Sequence, residues 1–444
     1  MPLRDLLLFA VFAVMVALTF RRTIYGLATW TIFTYAAPHH FTWGPSAHFS
    51  FVMMIACLTM ALALLKRDVR LPSFPPNLFF WGSLAVWISL TTAAAYDFDE
   101  ALPVYLQTIK IMLLGFFTIL LVKSRSELML ILGCIAGSVL FFGIKGGIFV
   151  LLTGGEHRVY GPPDHFMGAN NGLGVALLMT IPFAWFLAYE VISPWLRRGL
   201  LVAIPLCALS ILATYSRGAA LALFLTAVYW LWRTRRRAIA IGSVVLLPLL
   251  AVLAMPDKFV DRMETIQNVE EDRSAQQRLE MWEFGFKVAK RNILGGGFGI
   301  FPQYQLYSQY NLDMEIMNKP KTAHSIYFEA LGQHGFIGLF LFFSMGFATY
   351  ARFRRHALRG PTQSVRRFGL AAEVSLVAYA LGGAFINKAF EWPFLFQLVA
   401  FSVVAGEVLA QQSDQATDTK ETPRQSRSVR ARGPYLSARR PSQQ

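Results

Sequence analysis

Charged residues are scarce in this chain of 444 residues, since Asp, Glu, Lys and Arg together make up 15% of it. A soluble domain carries about 25%. Hydrophobic residues make up 55% of the chain, and the mean hydropathy is +0.45. This composition excludes an ordinary water-soluble globular protein and is typical of helices surrounded by lipid. We predict an all-α polytopic membrane protein with about 12 transmembrane helices.

Cysteine is also scarce, with only Cys57, Cys134 and Cys207, and each lies inside an apolar run. Neither a disulfide framework nor a cysteine zinc site is therefore expected. The sequence also lacks a phosphate-binding Walker loop, a nucleophile elbow and an HExxH metal motif. Any chemistry must come from single polar residues brought together by the fold.

Spanning helices need about 17 to 25 mostly apolar residues. Runs of this kind lie near residues 47–65, 78–95, 102–122, 128–153, 171–191, 199–216, 218–232, 238–255, 326–350, 368–387 and 392–410. Two shorter N-terminal runs, 6–20 and 24–38, are consistent with two short crossings or with a half-membrane hairpin. The first run leads into Arg21 and Arg22 without a small-residue cleavage site, so we expect it to be retained.

These runs predict four regions. An N-terminal transmembrane bundle covers residues 1–255, a large polar loop covers 256–325, and C-terminal transmembrane helices cover 326–410. The basic tail, 411–444, is rich in Ser, Gln, Arg and Pro and is predicted to be disordered. Within the loop, an amphipathic helix is expected from about Ser274 to Ala289, followed by a glycine-rich stretch.

The linkers between the runs alternate in charge, and cytoplasmic loops are those enriched in Lys and Arg. Three basic residues lie in the short linkers of one side, namely Arg158, Arg217 and Lys388. Seventeen lie in the linkers of the other side: Lys66, Arg67, Arg70, Lys123, Arg125, Arg197, Arg198, Arg233, Arg235, Arg236, Arg237, Arg352, Arg354, Arg355, Arg359, Arg366 and Arg367. The loop 256–325 is therefore predicted to face away from the cytoplasm. The net charge of +15 reflects this bias and the tail, so no nucleic-acid partner is expected.

Two arginines of the outer side are candidates for binding an anion. Arg217 lies between two apolar runs at the outer membrane boundary, where an arginine is costly unless it meets water, a partner or an anionic ligand. Arg278 precedes Trp282 by four residues, so both lie on one face of the predicted helix. A planar guanidinium can donate two hydrogen bonds to one phosphate. The alternatives are an interfacial anchor for Arg217 and a surface ion pair with Glu280 or Glu283 for Arg278.

His324 precedes a long apolar helix, with Thr322 or a neighbour as the expected cap. The helix dipole there favours the neutral imidazole, which is the form that a general base requires. Arg158 and Asn170 belong to another outer linker and are candidates for lining a ligand cavity. Two arginines and a histidine on one side suit the transfer of a group whose leaving group is a phosphate.

The stretch His324-Ser325, then nine residues, then Gly335-Phe336-Ile337-Gly338 resembles the H-[NSQ]-x9-G-x-x-G pattern of bacterial O-antigen ligases. These ligases share a superfamily with the O-antigen polymerases. The resemblance includes the turn Ser216-Arg217-Gly218, an Arg-x-x-x-Trp in the large loop and the helix layout. The stretch from Pro38 to Gly44 is similar to the exosortase-associated branch of the same superfamily.

This resemblance implies transfer of a polysaccharide from undecaprenyl diphosphate to a sugar hydroxyl of lipid A–core. The reaction would take place at the periplasmic face of the bacterial inner membrane, without a metal ion or other cofactor. Carried over by motif, His324 would be the general base, and Arg217 and Arg278 would bind the diphosphate. Residues beside them, expected to contact substrate, are Arg158, Asn170, Trp282 and Tyr327.

Other functions stay open at this stage. An O-antigen polymerase or a protein O-oligosaccharyltransferase of the same superfamily would differ in its acceptor. A metal-dependent transferase would use Asp97 and Asp99 as ligands. A lipid-linked glycan transporter would instead line a route with buried charges, for which the candidates are Lys110, Lys145, Glu190 and Glu373.

Overall fold

The computed structural model describes residues 2–71, 73–234 and 270–421. These residues contain thirteen α-helices and no β-strand, so the prediction of an all-α protein is confirmed for them. The predicted span 238–255, the start of the predicted loop up to residue 269 and the tail beyond residue 421 lie outside the described residues. The helices are α1 (Leu3–Arg21), α2 (Thr23–Tyr35), α3 (Phe51–Leu65), α4 (Pro76–Ala93), α5 (Phe98–Leu121), α6 (Arg125–Thr153), α7 (Asn170–Glu190), α8 (Pro194–Leu212), α9 (Arg217–Arg233), α10 (Glu270–Arg291), α11 (Ile326–Arg359), α12 (Gln363–Gly383) and α13 (Pro393–Glu421).

Seven helices of the described ranges are long and apolar enough to cross a membrane. They are α1, α5, α6, α7, α8, α11 and the part of α13 from Pro393 to Ala410. Of the two N-terminal runs, α1 has 19 residues but α2 has only 13. At 1.5 Å per residue, α2 is too short to span the hydrocarbon core by itself.

Helices from the two halves of the chain pack into one bundle. Helix α4 contacts α11, α5 contacts α13, and α7 contacts both α8 and α12. Helix α7 is the most buried of the candidate spans. A buried hydrogen bond of 2.7 Å from Asn77 Nδ2 to Ser402 Oγ joins α4 to α13. The charged linkers consequently gather at two opposite ends of the bundle.

One end, which we call the basic end, is held by ion pairs between helices that are distant in sequence. Glu373 is fully buried and is contacted by two guanidinium groups. The pairs are Arg22–Glu127, Arg70–Glu407, Lys123–Asp68, Arg125–Glu190, Arg233–Glu373 and Arg354–Glu373. Glu190 and Glu373, which the sequence allows as part of a transport route, therefore pair with arginines at this end.

The other end, which we call the loop end, is held mainly by hydrogen bonds that involve the backbone. Tyr96 donates its N–H to the Gly296 carbonyl over 2.9 Å. Val159 donates its N–H to the Ala213 carbonyl over 2.9 Å. The loops before α3, α5, α7, α9, α11 and α13 all meet here, so residues far apart in sequence become neighbours.

The segment from α10 to His324 has a hydrophobic core of its own. Its buried residues are Met281, Phe284, Val288, Ile300, Phe301, Leu306, Tyr307, Leu312, Met317 and Ala323. The helix predicted from Ser274 to Ala289 is confirmed, and α10 extends beyond both predicted ends. Since this core packs beside the bundle, the segment forms a small folded unit at the loop end.

Helix α11, predicted as one apolar run, breaks at Gly335. The backbone there has φ 68° and ψ −172°, a left-handed conformation that favours glycine. A Cβ at this position would collide with the Ile293 carbonyl oxygen. The carbonyls next to the break accept hydrogen bonds from the glycine-rich loop, from Gly296 N–H to Gly332 over 2.9 Å and from Gly297 N–H to Gln333 over 2.8 Å. The nine residues between Ser325 and Gly335 therefore form a short, separately anchored helix.

Candidate active site

His324 lies at the entrance to this short helix, in a left-handed backbone conformation with φ 48°. The helix N-cap is Ser325 rather than Thr322, and its side chain makes no capping hydrogen bond. The preceding carbonyl, that of Ala323, accepts a hydrogen bond of 2.9 Å from Trp282 Nε1. Non-glycine residues with positive φ are uncommon and persist only where the surroundings fix them. The backbone next to His324 is therefore held by α10.

The environment of His324 lowers its pKa to about 4. Burial is the main cause, and the positive charges of Arg278 and Lys321 add to it. At neutral pH the imidazole is uncharged and able to accept a proton. Its Nδ1 is buried, and within the described part of the chain it has no hydrogen-bond partner.

Arg278 and Trp282 share a face of α10, as the spacing predicts. The Trp282 ring stacks on Phe328 at 4.8 Å with an interplanar angle of 4°. Four residues before Trp282, Arg278 is half-buried and close enough to His324 to affect its pKa. Gln277 Nε2 also donates to the Ile316 carbonyl over 2.9 Å. Helix α10 thereby fixes both a guanidinium group and the segment that leads to the imidazole.

Arg217 is the first residue of α9, and its side chain is exposed. Ser216 caps the helix by accepting a hydrogen bond of 3.2 Å from the Ala219 N–H. Tyr215, just before the cap, has a positive φ of 51°. A tight turn between α8 and α9 therefore places Arg217 at the loop end of the bundle.

The C-terminal end of α12 connects the Arg217 and His324 regions. A Cβ added to Gly218 would lie 2.5 Å from side-chain atoms of Phe385, so α9 begins directly against this end. The side chain of Ile326, two residues after His324, packs on Gly383. Gly218 and Ile326, which follow Arg217 and His324 closely in the chain, thus contact positions two residues apart at the end of α12. The starts of α9 and α11 are thus both placed at the loop end, and Arg278 is close enough to His324 to lower its pKa.

Arg158 and Asn170 both contact the turn that precedes Arg217. Asn170 Nδ2 donates to the Thr214 carbonyl over 3.0 Å. The Arg158 guanidinium carbon lies 6.0 Å from the centre of the Tyr215 ring, within cation–π range. Arg158 is exposed. The α6–α7 linker therefore supports Arg217 and contributes a further guanidinium group nearby.

Tyr327 connects α11 to neighbouring helices. Its hydroxyl donates to the Ala380 carbonyl of α12 over 2.5 Å. Its ring stacks on Phe343 with centroids 5.3 Å apart. Like the indole of Trp282, the Tyr327 hydroxyl already donates to a backbone carbonyl, and it joins the start of α11 to α12.

Three further residues at the loop end bear on the site, and the sequence analysis gave none of them a role in it. Lys321 lies three residues before His324 and contributes to its pKa shift. Glu329, in the short helix, accepts a hydrogen bond of 2.9 Å from the Ala389 N–H. Lys388, next to Ala389, has a left-handed φ of 72°. The position of Lys321, three residues before His324, was enough to indicate a role near the site from the sequence. The contact of Glu329 joins residues 60 positions apart, so no local pattern indicates it.

Asp97 and Asp99, the candidate metal ligands, lie at the start of α5. Asp97 caps this helix by accepting a hydrogen bond of 3.1 Å from the Glu100 N–H. Among the described residues, no group of three His, Cys, Asp or Glu side chains is placed to hold a metal ion. Helix capping accounts for the position of Asp97.

These features define a class: a multi-pass helical membrane protein with a charged site at one end of its bundle. Residues 201–343 match the family model described as O-antigen ligase, and this range contains Arg217, Arg278 and His324. Residues 3–191 match a family of unknown function. No curated protein matches the chain. The match over residues 201–343 supports membership in the O-antigen ligase superfamily, whose members are glycosyltransferase-like ligases and polymerases.

Proposed function

We propose that the protein is an O-antigen ligase, an inverting and metal-independent glycosyltransferase. Its donor is a polysaccharide linked to undecaprenyl diphosphate, and its acceptor is a sugar hydroxyl of lipid A–core. The observation that carries this proposal is the pairing of a neutral His324, with a pKa lowered to about 4, with the guanidinium of Arg278 beside it. A neutral base next to a fixed cation suits a reaction that takes a proton and releases an anion.

In the proposed reaction, the acceptor hydroxyl attacks the anomeric carbon of the donor sugar. A ring nitrogen of His324 takes the hydroxyl proton as the new carbon–oxygen bond forms. The bond from the anomeric carbon to the diphosphate oxygen breaks, and the electron pair leaves with the diphosphate. Arg217 and Arg278 stabilise the developing negative charge. Because there is one displacement, the anomeric configuration is inverted.

Four other residues have supporting roles in this proposal. Trp282 fixes the Ala323 carbonyl beside the base, and Tyr327 fixes the start of α11 against α12. Asn170 holds the turn before Arg217. Arg158 is exposed beside this turn and contributes a further contact to the donor diphosphate or its sugar.

The charge distribution supports an orientation in the bacterial inner membrane. We propose that the basic end faces the cytoplasm, because its linkers carry most of the arginines and lysines. The loop end, including the segment 256–325, then faces the periplasm between a bundle of residues 1–255 and C-terminal helices of residues 326–410. A total of about 12 spans would include the run 238–255. The tail 411–444 would lie in the cytoplasm.

Two alternatives differ from this proposal in what they predict. A polymerase or a protein O-oligosaccharyltransferase would keep the same donor chemistry and use another acceptor. A transporter needs charges along a route through the bundle. Glu190 and Glu373 instead pair with Arg125 and Arg233 at the basic end, which favours a structural role.

The deciding experiment offers the purified protein an undecaprenyl-diphosphate glycan with one of three acceptors. These are lipid A–core, a second lipid-linked glycan and an acceptor protein. A product on lipid A–core supports the ligase, whereas a lengthened lipid-linked glycan identifies a polymerase. No product with any acceptor, together with uptake of the donor into vesicles, would overturn the proposal in favour of transport.

A further inference from the structure

Lys388 stands in the short loop between α12 and α13, in a backbone conformation that disfavours side chains. Its φ is 72°, in the left-handed region. The next residue, Ala389, is fixed because its N–H donates to the Glu329 carboxylate over 2.9 Å. Strained backbone of this kind persists where the surroundings determine it, and it clusters at functional sites. His324 and Tyr215, which lies two residues before Arg217, also have a positive φ, of 48° and 51°.

The loop that carries Lys388 lies between the two sides of the site. On one side, Phe385 packs against Gly218, the neighbour of Arg217. On the other side, the Phe390 ring meets the His334 ring of the short helix edge-on, with centroids 4.7 Å apart. The loop that contains residue 388 therefore contacts both the start of α9 and the helix that begins after His324.

The charge of Lys388 acts on groups from both sides. It interacts electrostatically with Glu329 of α11 and with His165 of the α6–α7 linker, the linker that also carries Arg158. Its ion-pair partner is Glu391, three residues along, at 3.6 Å. The Lys388 side chain is 39% exposed, and exposed local pairs of this kind are weak. The ammonium group is thus partly exposed, and its local pair with Glu391 is one that a stronger anion would replace.

We propose that Lys388 is a phosphate-binding residue of this site, a third cation beside Arg217 and Arg278. This inference rests on the proposed function and deepens it. A lysine ammonium is a compact charge on a flexible stem and binds phosphate without a fixed geometry. The phosphate belongs to the donor diphosphate or to a phosphorylated sugar of the acceptor, and the two sources are separable by kinetics.

The positive φ of Lys388 makes glycine an informative substitution at this position. Lys388→Gly removes the ammonium group and also relieves the strain at φ 72°, so it should not destabilise the protein. Lys388→Arg keeps the charge. Lys290→Ala is the matched control, since Lys290 is an exposed lysine at the end of α10.

The experiment measures KM and kcat with varied donor and varied acceptor, and the thermal unfolding midpoint of each variant. For Lys388→Gly we expect an unchanged or higher midpoint and a KM raised about tenfold or more for one substrate. A rise in the donor KM identifies the diphosphate, and a rise in the acceptor KM identifies an acceptor phosphate. Lys388→Arg and Lys290→Ala should stay within about threefold of the wild type.

Wild-type KM values for both substrates in Lys388→Gly would overturn the inference. So would a lower midpoint with a reduced kcat and no change in KM, because that pattern indicates a structural role. Both outcomes leave the proposed function intact, since the wild type still transfers glycan. Failure of the wild type to transfer glycan at all counts instead against the proposed function.

Discussion

The two ends of the bundle use charge differently. At the basic end, ion pairs such as Arg22–Glu127 and Arg125–Glu190 join helices 65 or more positions apart in sequence. At the loop end, the ion pairs Lys287–Glu283 and Lys388–Glu391 join residues of the same local segment. Here most of the long-range contacts are hydrogen bonds that involve a backbone group, such as that from Asn170 to the Thr214 carbonyl.

This difference separates charges that stabilise the fold from charges that are available to a ligand. Glu373 is fully buried between guanidinium groups, so its pairs hold three helices together. Arg278 instead acts on His324, another member of the site, and lowers its pKa. Cations that repel one another near a neutral base are costly alone and become favourable when an anion binds among them. Cations in such a place suit the binding of the proposed diphosphate donor.

The largest effect among the substitutions that contrast the two ends is expected at Arg278. Arg278→Ala removes a cation from the leaving diphosphate, so kcat/KM should fall by about 10²- to 10³-fold. The unfolding midpoint should stay near that of the wild type, because within the described residues no ion pair of Arg278 joins helices distant in sequence. Transfer kinetics and thermal unfolding check both statements. Arg291→Ala, an exposed arginine on the same helix, is the control, and equal activity of the two variants would contradict the assignment.

The opposite pattern is expected at the basic end. Arg233→Ala leaves the buried Glu373 with one guanidinium fewer, which should lower the free energy of unfolding by up to about 3 kcal/mol. The fraction that remains folded should keep its KM for the donor. Thermal unfolding and transfer by the folded fraction measure the two effects. A raised donor KM at unchanged stability would mean that the basic end also serves the ligand.

A substitution at the glycine where α11 breaks should destabilise the protein more than a substitution at another glycine of the same helix. Gly335→Ala forces a side chain into a left-handed residue and against the Ile293 carbonyl, at a cost of about 1 to 3 kcal/mol. Activity should fall as well, since the short helix fixes His324. Gly346→Ala lies in the same helix with nothing within 4 Å and should be neutral or slightly stabilising. Similar unfolding midpoints for these two variants would contradict the explanation that Gly335 is needed to end the nine-residue helix after Ser325.

The smallest effect is a shift in pH dependence. Because the pKa of His324 is lowered to about 4, the free enzyme keeps a neutral base down to that pH. The acid limb of kcat/KM should therefore lie near pH 4. A bound diphosphate favours the imidazolium, so the acid limb of kcat should lie at a higher pH. Profiles in which both limbs lie near the ordinary histidine pKa of about 6.5 would contradict this environment.

The sequence predicts most of the helices and the candidate residues of the site. It does not predict the long-range contacts that hold those residues in position. Apolar runs and the four-residue spacing of Arg278 and Trp282 are local signals, and the structure agrees with both. The break at Gly335 depends on contacts with the glycine-rich loop, about 40 residues earlier in the chain. The cause of the His324 pKa shift depends on burial and on α10, which no local pattern reveals. Contacts between residues distant in sequence thus determine the helix break and the pKa shift, neither of which the local spacing predicts.

The most direct test of the account is transfer of glycan from undecaprenyl diphosphate to lipid A–core by His324→Asn. Asparagine tolerates the left-handed backbone at this position, so the variant should fold and unfold like the wild type. Loss of the general base should lower kcat by about 10²- to 10⁴-fold. His157→Asn, at an exposed histidine of the α6–α7 linker, should retain full activity. Wild-type transfer by His324→Asn would contradict the central claim.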